Sequence, residues 1–287
     1  MVAKPAYPRR IDVSIIIVFY DDIPELRACI SSLSAAVNRC SYEVVIVDNS
    51  PKQMLRHTEL NSEGSYHIIY SRNNIGLTRA TNSAIQESCG RYYLCLNPDI
   101  VATSHSIDDL VDFADSNASA GIVAAKLVHT DGSLQFSCRR FYTIAHILVR
   151  RTPLRYVLPS ERIDAHHLMK DYDHLGVRNV DWVLGSCLLV RAEAVEQVGA
   201  MDTRFFMYFE DVDWCFRMHQ NDWKVLYCPH VTMVHHHKRD SASPGLSRQK
   251  REHVMSFCRF HQKHGWRILC RKDSAVYPSK QEPCEYD

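Results

Sequence analysis

Short, continuous apolar runs alternate with helical periodicity through the first half of the chain. VSIIIVFY (13–20) is β-branched and uninterrupted, which predicts a buried strand. From Ile23 to Ala36 the apolar positions recur at helical spacing, and Pro24 stands near the start, where proline suits a first turn. YEVVIVDNS (42–50) and YHIIYS (66–71) predict two further strands. IGLTRATNSAIQES (75–88) predicts a helix with Gly90 just past its end. YYLCLNPDI (92–100) predicts a strand, IDDLVDFADSN (107–117) a helix and AGIVAAKLVH (120–129) another strand. Strands that read as solid apolar runs between helices argue for a mostly parallel sheet covered on both faces.

Residues 138–180 break this rhythm. CRRFYTIAHILVRRTPLRYVLP mixes arginine with large apolar residues, and the following SERIDAHHLMKDYDHLGVRN is polar. A helix and an irregular excursion away from the sheet are expected there. The strand–helix pattern resumes with VDWVLGSCLLVR (180–191), AEAVEQVG (192–199), the helix in FFMYFEDVDWCFRMHQ (205–220) and the strand KVLYCP (224–229). Basic and aromatic residues then crowd the stretch 247–272.

Composition narrows the classes. The chain has 287 residues, 46% hydrophobic and 23% charged, which suits a folded globular protein and not a disordered one. A net charge of +1 gives no global field for nucleic acid, and no nucleic-acid partner is expected. The eleven cysteines stand singly, with no C-x-x-C pair, as small buried hydrophobes in a reducing compartment would. The first apolar run ends in Asp21-Asp22 without a small-x-small cleavage pattern, so it reads as a strand and not a signal peptide. No run approaches the ~18 apolar residues of a membrane span.

The polar residues at strand ends carry the chemistry. Ligands of parallel sheets bind beyond the carboxyl ends of the strands, where Asp48, Asn49 and Asp99 stand. In Asn97-Pro98-Asp99 the proline fixes its own φ and pushes Asn97 to extended geometry, so both polar side chains are held in place. A carboxylate so placed suits a hard divalent cation, which in turn suits a diphosphate; a solvated turn is the alternative. Glu210, Asp211 and Asp213 open a helix behind the apolar lead-in RFFMYF. Their charge suits the helix dipole, which tends to keep Asp211 ionised, and the apolar lead-in points to a catalytic carboxylate. Asp213, two positions on, is expected to anchor the helix or its loop. In VHHHKRD (234–240), neighbours on an extended chain face opposite ways, so one metal-ligating histidine is expected, or none. NNIGLTRATN (73–82) sets Asn74, Gly76, Arg79 and Asn82 around a helix start, a place that suits an anion.

Taken in order, VSIIIVFY, VVIVDNS, NNIGLTRATN, LNPDI, the block from Val180 to Arg217 and the later VHHH resemble the family 2 glycosyltransferases of GT-A fold. Within that family the chain looks most like bacterial rhamnosyltransferases that use dTDP-L-rhamnose in O-antigen, lipopolysaccharide and related surface-polysaccharide synthesis. The resemblance implies an α/β GT-A domain over residues 1–241. Residues 11–130 would hold the nucleotide sugar, residues 131–241 the acceptor, and 242–287 would form a basic helical tail. It implies that Tyr20, Asp48, Asn49, Asn74, Gly76, Arg79, Asn82 and Asn97 bind the donor, with Asp48 on the nucleotide base. Thr81 stands where many members have arginine. Asp99 and His235, with His236 as the neighbouring choice, would hold Mg²⁺ or Mn²⁺. Trp182, Gly185 and Glu210 fall on the acceptor side, and Asp211 matches the general base of an inverting transfer. The expected partners are a nucleotide sugar and a saccharide or polyprenyl-linked acceptor. A cytoplasmic protein is expected, its tail a candidate for peripheral contact with the inner face of the membrane. Rivals are transfer of a hexose or galactofuranose and a non-catalytic nucleotide-sugar-binding protein. A nucleotidyltransferase is a further rival, but FYDDIPE follows the first strand where such enzymes carry a glycine- and basic-rich loop.

Overall fold

The computed structural model describes residues 11–58, 60, 65–144, 146, 156, 159–236 and 248–265. The chain alternates strands and helices as its pattern predicts. Strand β1 (Ile11–Phe19) leads to α1 (Ile23–Ala36), then β2 (Tyr42–Asp48), β3 (Tyr66–Tyr70), α2 (Leu77–Glu87) and β4 (Gly90–Leu96). Next come β5 (Ile100–Ala102), α3 (Ser106–Ser116), β6 (Ala120–Val128), β7 (Leu134–Gln135) and β8 (Cys138–Arg139). After α4 (Ser160–His167) follow β9 (Arg178–Asn179), β10 (Trp182–Val183), β11 (Cys187–Arg191) and α5 (Ala192–Val198). The described part closes with α6 (Glu210–His219), β12 (Lys224–His235) and α7 (Arg248–His264).

The main sheet runs in the order β3-β2-β1-β4-β11-β6-β12-β5, with β7 beside β6 and β9 beside β12. Strands β1 to β4 are mutually parallel, while β11 runs against β4 and β6. Both faces are covered. Val13, Ile15, Ile17 and Phe19 of β1 pack in one core with Leu26 and Leu33 of α1. Ile16 points the other way, into a second core with Ala80 and Ala84 of α2 and with Trp214 and Phe216 of α6. That two-sided burial is why the strand reads as one apolar run.

Three expectations change. YYLCLNPDI is not one strand: β4 stops at Leu96, and β5 lies at the far edge of the sheet against β12. The proline leaves no N–H for the ladder, so the chain crosses over at Asn97-Pro98-Asp99. The predicted strand 180–191 is likewise two strands, interrupted at Leu184–Ser186. Gly90 does not cap α2, which ends at Glu87 with Ser88 extended. It opens β4 instead, where a Cβ would stand 2.5 Å from the backbone nitrogen of Ser14.

Candidate active site

The break in β4 and the break before β11 meet. Asn97 N–H donates to the Ser186 carbonyl at 2.9 Å, so the Asn97-Pro98-Asp99 turn and the Leu184–Ser186 turn are neighbours at one sheet edge. Around this edge stand a carboxylate–imidazole pair, a network of amides on the side expected for the donor, and a cavity.

Asp99 Oδ2 lies 3.3 Å from His235 Nε2, and His235 is 3% exposed at the end of β12. The His236 N–H donates to the Asp99 carbonyl, but its ring turns to Glu25, with Nδ1 2.9 Å from Oε2. Of the two histidines, His235 therefore shares the Asp99 carboxylate. No group of three or more His, Cys, Asp or Glu side chains gathers for a metal among the described residues. One hard carboxylate and one imidazole still fit a cation that fills its shell with substrate phosphate and water, as Mg²⁺ commonly does.

On the donor side, amides knit the loops together. Asn49 Nδ2 donates to Asn74 Oδ1 at 3.1 Å, and Asn49 Oδ1 accepts from Ile75 N at 2.9 Å. Gly76 N donates to Asn74 Oδ1, and Leu77 N donates to the Phe206 carbonyl. The N–H groups of Gly76 and Leu77, at the entry to α2, are thus engaged within the protein, where the sequence suggested an anion site. Gly76 has φ +86°, and a Cβ there would lie 2.7 Å from Phe206. Thr78 Oγ1 donates to the Phe205 carbonyl, and Asn82 both donates to Met201 O (2.7 Å) and accepts from Met201 N (3.1 Å). Asn82, expected at the donor, here ties the 201–206 loop to α2. Asp48 is fully buried and accepts from Ser50 N, Ser50 Oγ and Leu55 N, so its carboxylate shapes the turn that follows β2. Tyr20 is 43% exposed and Arg79 is exposed.

Beside the Leu184–Ser186 turn lies a cavity of about 830 Å³, within the range of small-ligand sites. Trp182, Glu210 and Asp211 line it, as do Arg139, Tyr142 and Lys250. Its aromatic wall is a stack: Tyr142 lies over Phe209 (centroids 5.0 Å, 26°) and beside Trp182 (5.9 Å, 24°), and His146 stacks on His167 at 3.9 Å. Flat aromatic faces of this kind suit the C–H faces of a sugar ring.

Asp211 lies at the head of α6 with one carboxylate oxygen on the Gly185 N–H (3.0 Å) and the other on the Val212 N–H (2.8 Å). Gly185 therefore meets the cavity through the carboxylate it holds. Burial pushes the Asp211 carboxyl above its usual range, while these N–H groups and the nearby Arg139 pull it back. Burial thus works against the helix start, whose dipole favours the ionised form. Glu210 is raised to about 8, by burial and then by the Asp211 charge. Its Oε2 is buried without a hydrogen-bond partner among the described residues.

The residues before Glu210 are held in a costly conformation. Tyr208 and Phe209 both have positive φ, +68° and +67°, each costing about 1–3 kcal/mol for a bulky residue. Helix α7 secures them. Phe209 meets Phe257 and Phe260 at 5.8 Å, and Ser256 Oγ donates to the Met207 carbonyl. Asp213 is fully buried, with Arg217 Nε at 2.7 Å, Lys263 Nζ at 2.6 Å and His264 Nε2 at 2.7 Å. It anchors the helix, as its position suggested.

Sequence reasoning missed the cavity walls supplied by Arg139, Tyr142 and Lys250. The signal was there in two basic, aromatic stretches, 139–157 and 247–272. Membrane contact is one expectation for them, and a tail helix packed on the catalytic domain is the other. Among the described residues both stretches reach the cavity, through Arg139, Tyr142, Lys250 and Phe257, and Phe260 and His261 of α7 are 1% exposed. Residues 266–287 and most of 145–158, on which the membrane expectation also rests, lie outside the described residues. No helix among the described residues is long and apolar enough to cross a membrane.

A mostly parallel sheet with a strand-end acid on one side and a helix-start carboxylate across the same edge defines a GT-A glycosyltransferase. The chain belongs to glycosyl transferase family 2, whose model matches residues 14–199. It is 27% identical over 272 residues to the N-acetylglucosaminyl-diphospho-decaprenol L-rhamnosyltransferase of Mycobacterium tuberculosis, covering 88% of this chain and 85% of that one. It is 23% identical to the rhamnosyltransferase WbbL of Escherichia coli K12, covering 91% of this chain and 93% of WbbL. It is 26% identical to the low-salt glycan biosynthesis hexosyltransferase Agl10 of Haloferax volcanii, covering 80% and 68%. Among solved structures, GalNAc-T7 with UDP, GalNAc and Mn²⁺ superposes with TM-score 0.62 at 15% identity. The match covers 88% of this chain and 48% of GalNAc-T7, so this chain corresponds to about half of it. A TarS chain of S. aureus superposes with TM-score 0.53 at 13% identity, covering 88% of this chain and 72% of that one. These two likenesses bear on the fold. The family assignment makes this a transferase of glycosyl groups.

Proposed function

We propose that the protein moves L-rhamnose from dTDP-L-rhamnose, with inversion, onto a hydroxyl of a saccharide carried on a polyprenyl-linked acceptor for bacterial surface polysaccharide. The observation that carries this reading is Asp211, a buried carboxylate held by the Gly185 N–H on the wall of an aromatic cavity. The acceptor hydroxyl attacks the anomeric carbon, the bond from that carbon to the diphosphate oxygen breaks, and the hydroxyl proton passes to Asp211. A hydroxyl becomes acidic only as the new bond forms, so the base must already stand at the site, and such a base contributes about 10²–10⁴-fold. In this reading residues 11–130 carry the donor, 131–241 carry the acceptor, and α7 closes the acceptor side. Asp99 and His235 would hold Mg²⁺ or Mn²⁺, which when bound neutralises the charge of the departing diphosphate. Rhamnose as the sugar is supported by the two relatives named for it. A hexose is the second reading, favoured by the likeness to the Haloferax hexosyltransferase.

The test is a donor panel. Purified protein, Mn²⁺ and N-acetylglucosaminyl-diphospho-farnesol are incubated with dTDP-L-rhamnose, UDP-glucose, UDP-galactose or UDP-galactofuranose. Released nucleoside diphosphate and the product's mass are then read. The expected result is dTDP release with a deoxyhexose added to the acceptor, lost in excess EDTA. Transfer from a UDP-sugar alone overturns the donor assignment, and full activity in EDTA overturns the cation.

A further inference from the structure

His235 is gripped from both sides. Its Nε2 faces Asp99 Oδ2 at 3.3 Å, and its Nδ1 lies 2.8 Å from Oε1 of Gln135. Gln135 is 7% exposed, on the two-residue strand β7. The register explains the reach. Leu127 of β6 pairs with Gln135 on one side and with Met233 of β12 on the other. Side chains aligned across a sheet share a face, and so do positions two apart along a strand. Gln135, Leu127, Met233 and His235 therefore stand on one face, with Gln135 leaning across β6 to the imidazole.

A neutral imidazole ligates through the nitrogen that carries no proton, and the proton then sits on the other nitrogen. Nε2 is the atom beside Asp99, so it is the nitrogen that a cation shared with Asp99 would take. Nδ1 must then carry the proton, and in this buried place the proton needs an acceptor. We propose that Gln135 is a positioning residue of the metal site: its side-chain oxygen accepts from Nδ1–H and fixes the ring plane and tautomer of His235. The amide is suited to the unloaded protein as well. Flipped, its NH₂ donates to Nδ1 while the proton sits on Nε2, 3.3 Å from Asp99 Oδ2. A carboxylate at 135 would serve the first state only, and an apolar side chain neither. The proposal rests on the reading of Asp99 and His235 as cation ligands. It assigns Gln135 no contact with the substrate.

The test measures Mn²⁺ binding alone by electron paramagnetic resonance, on the full chain without donor or acceptor. Its variants are Gln135→Met, Gln135→Glu and His235→Ala. Loss of a ligand's outer partner typically weakens metal binding about 10–100-fold, and Gln135→Met is expected to fall in that range. Gln135→Glu keeps an acceptor for Nδ1–H and is expected to bind within about threefold of the parent or more tightly. His235→Ala is expected to be the weakest. Parent-like affinity in Gln135→Met, with His235→Ala weakened, overturns the role of Gln135 and leaves the metal site standing. Parent-like affinity in His235→Ala overturns the metal site, and Gln135's role with it. Should Gln135→Met fail to fold in a circular dichroism melt, Gln135→Glu carries the test: a loss of tenfold or more there overturns the proposal.

Discussion

Two sides of one helical turn treat their carboxylates in opposite ways. On the side of α6 that faces α7, Asp213 is fully buried and still held below the usual carboxylate range, because His264, Arg217 and Lys263 outweigh the cost of its burial. On the side that faces the cavity, Glu210 and Asp211 are also buried but have backbone N–H groups and few charges for partners, and both are raised. The three acids lie within four positions of sequence. What separates structure from chemistry here is the partner set, not the residue type or the helix dipole. An acid saturated with cations is committed to the fold. An acid left between water and a partner has a proton to trade.

That contrast can be broken most severely at Asp213. Asp213→Ala leaves Arg217, Lys263 and His264 facing a buried gap, and loss of one partner of such a cluster costs about 3–5 kcal/mol. Chemical denaturation should read this as a lower midpoint with an unchanged slope. A loss under about 1 kcal/mol would mean that the cluster is solvated and weak.

A second break uses pH. Asp213, held low, stabilises the fold above the unfolded carboxylate range, and that stability is lost as pH falls through its folded value. Glu210 has the opposite sign. Raised to about 8, it binds its proton more tightly folded than unfolded, so its contribution is present at acid pH and lost between about 4.3 and 8. Glu210→Gln should therefore be more stable than the parent at neutral pH. The gap should widen with pH by at most about 1.4 kcal/mol per unit and flatten above about 8. Melting curves from pH 5 to 9 check this, and parallel curves for the two proteins would contradict it.

A third and smaller break tests how the turn is held. Gly76→Ala puts a Cβ against Phe206 at a φ that side chains rarely adopt, for about 1–3 kcal/mol. Because Phe206 leads into the strained Tyr208–Phe209 pair, turnover should fall more than donor affinity. Equal losses in both would place the effect on the donor side alone.

The fold was largely legible because each inner strand is buried on both faces and so spells itself as an apolar run. Helix α1 was read to the residue, since Pro24 and the spacing of Leu26, Ile30 and Leu33 mark one face and one start. The crossover at Pro98 was not legible, because Ile100–Ala102 is as apolar as the strand before it and only tertiary pairing sends it to the far edge. The placement of candidate residues was legible where a motif sits at a strand end or helix start, as with Asp99, His235 and Asp211. It was illegible where a side chain is recruited across the sheet, as Gln135 is, or from the far end of the chain, as Lys250 is. NNIGLTRATN shows the limit most sharply: Asn82, whose amide suggests a ligand near a helix start, is used by the protein to bind its own 201–206 loop.

The account rests on Asp211 as the proton acceptor, and one comparison tests that directly. Asp211→Asn keeps the size of the side chain and removes its capacity to take the proton. Steady-state turnover with dTDP-L-rhamnose and N-acetylglucosaminyl-diphospho-farnesol, set beside donor affinity by calorimetry on the same protein, separates chemistry from binding. The account predicts turnover lower by at least about 10²-fold with donor affinity nearly unchanged. Near-parental turnover in Asp211→Asn, with Glu210→Gln inactive and still binding donor, would contradict it and move the base to Glu210.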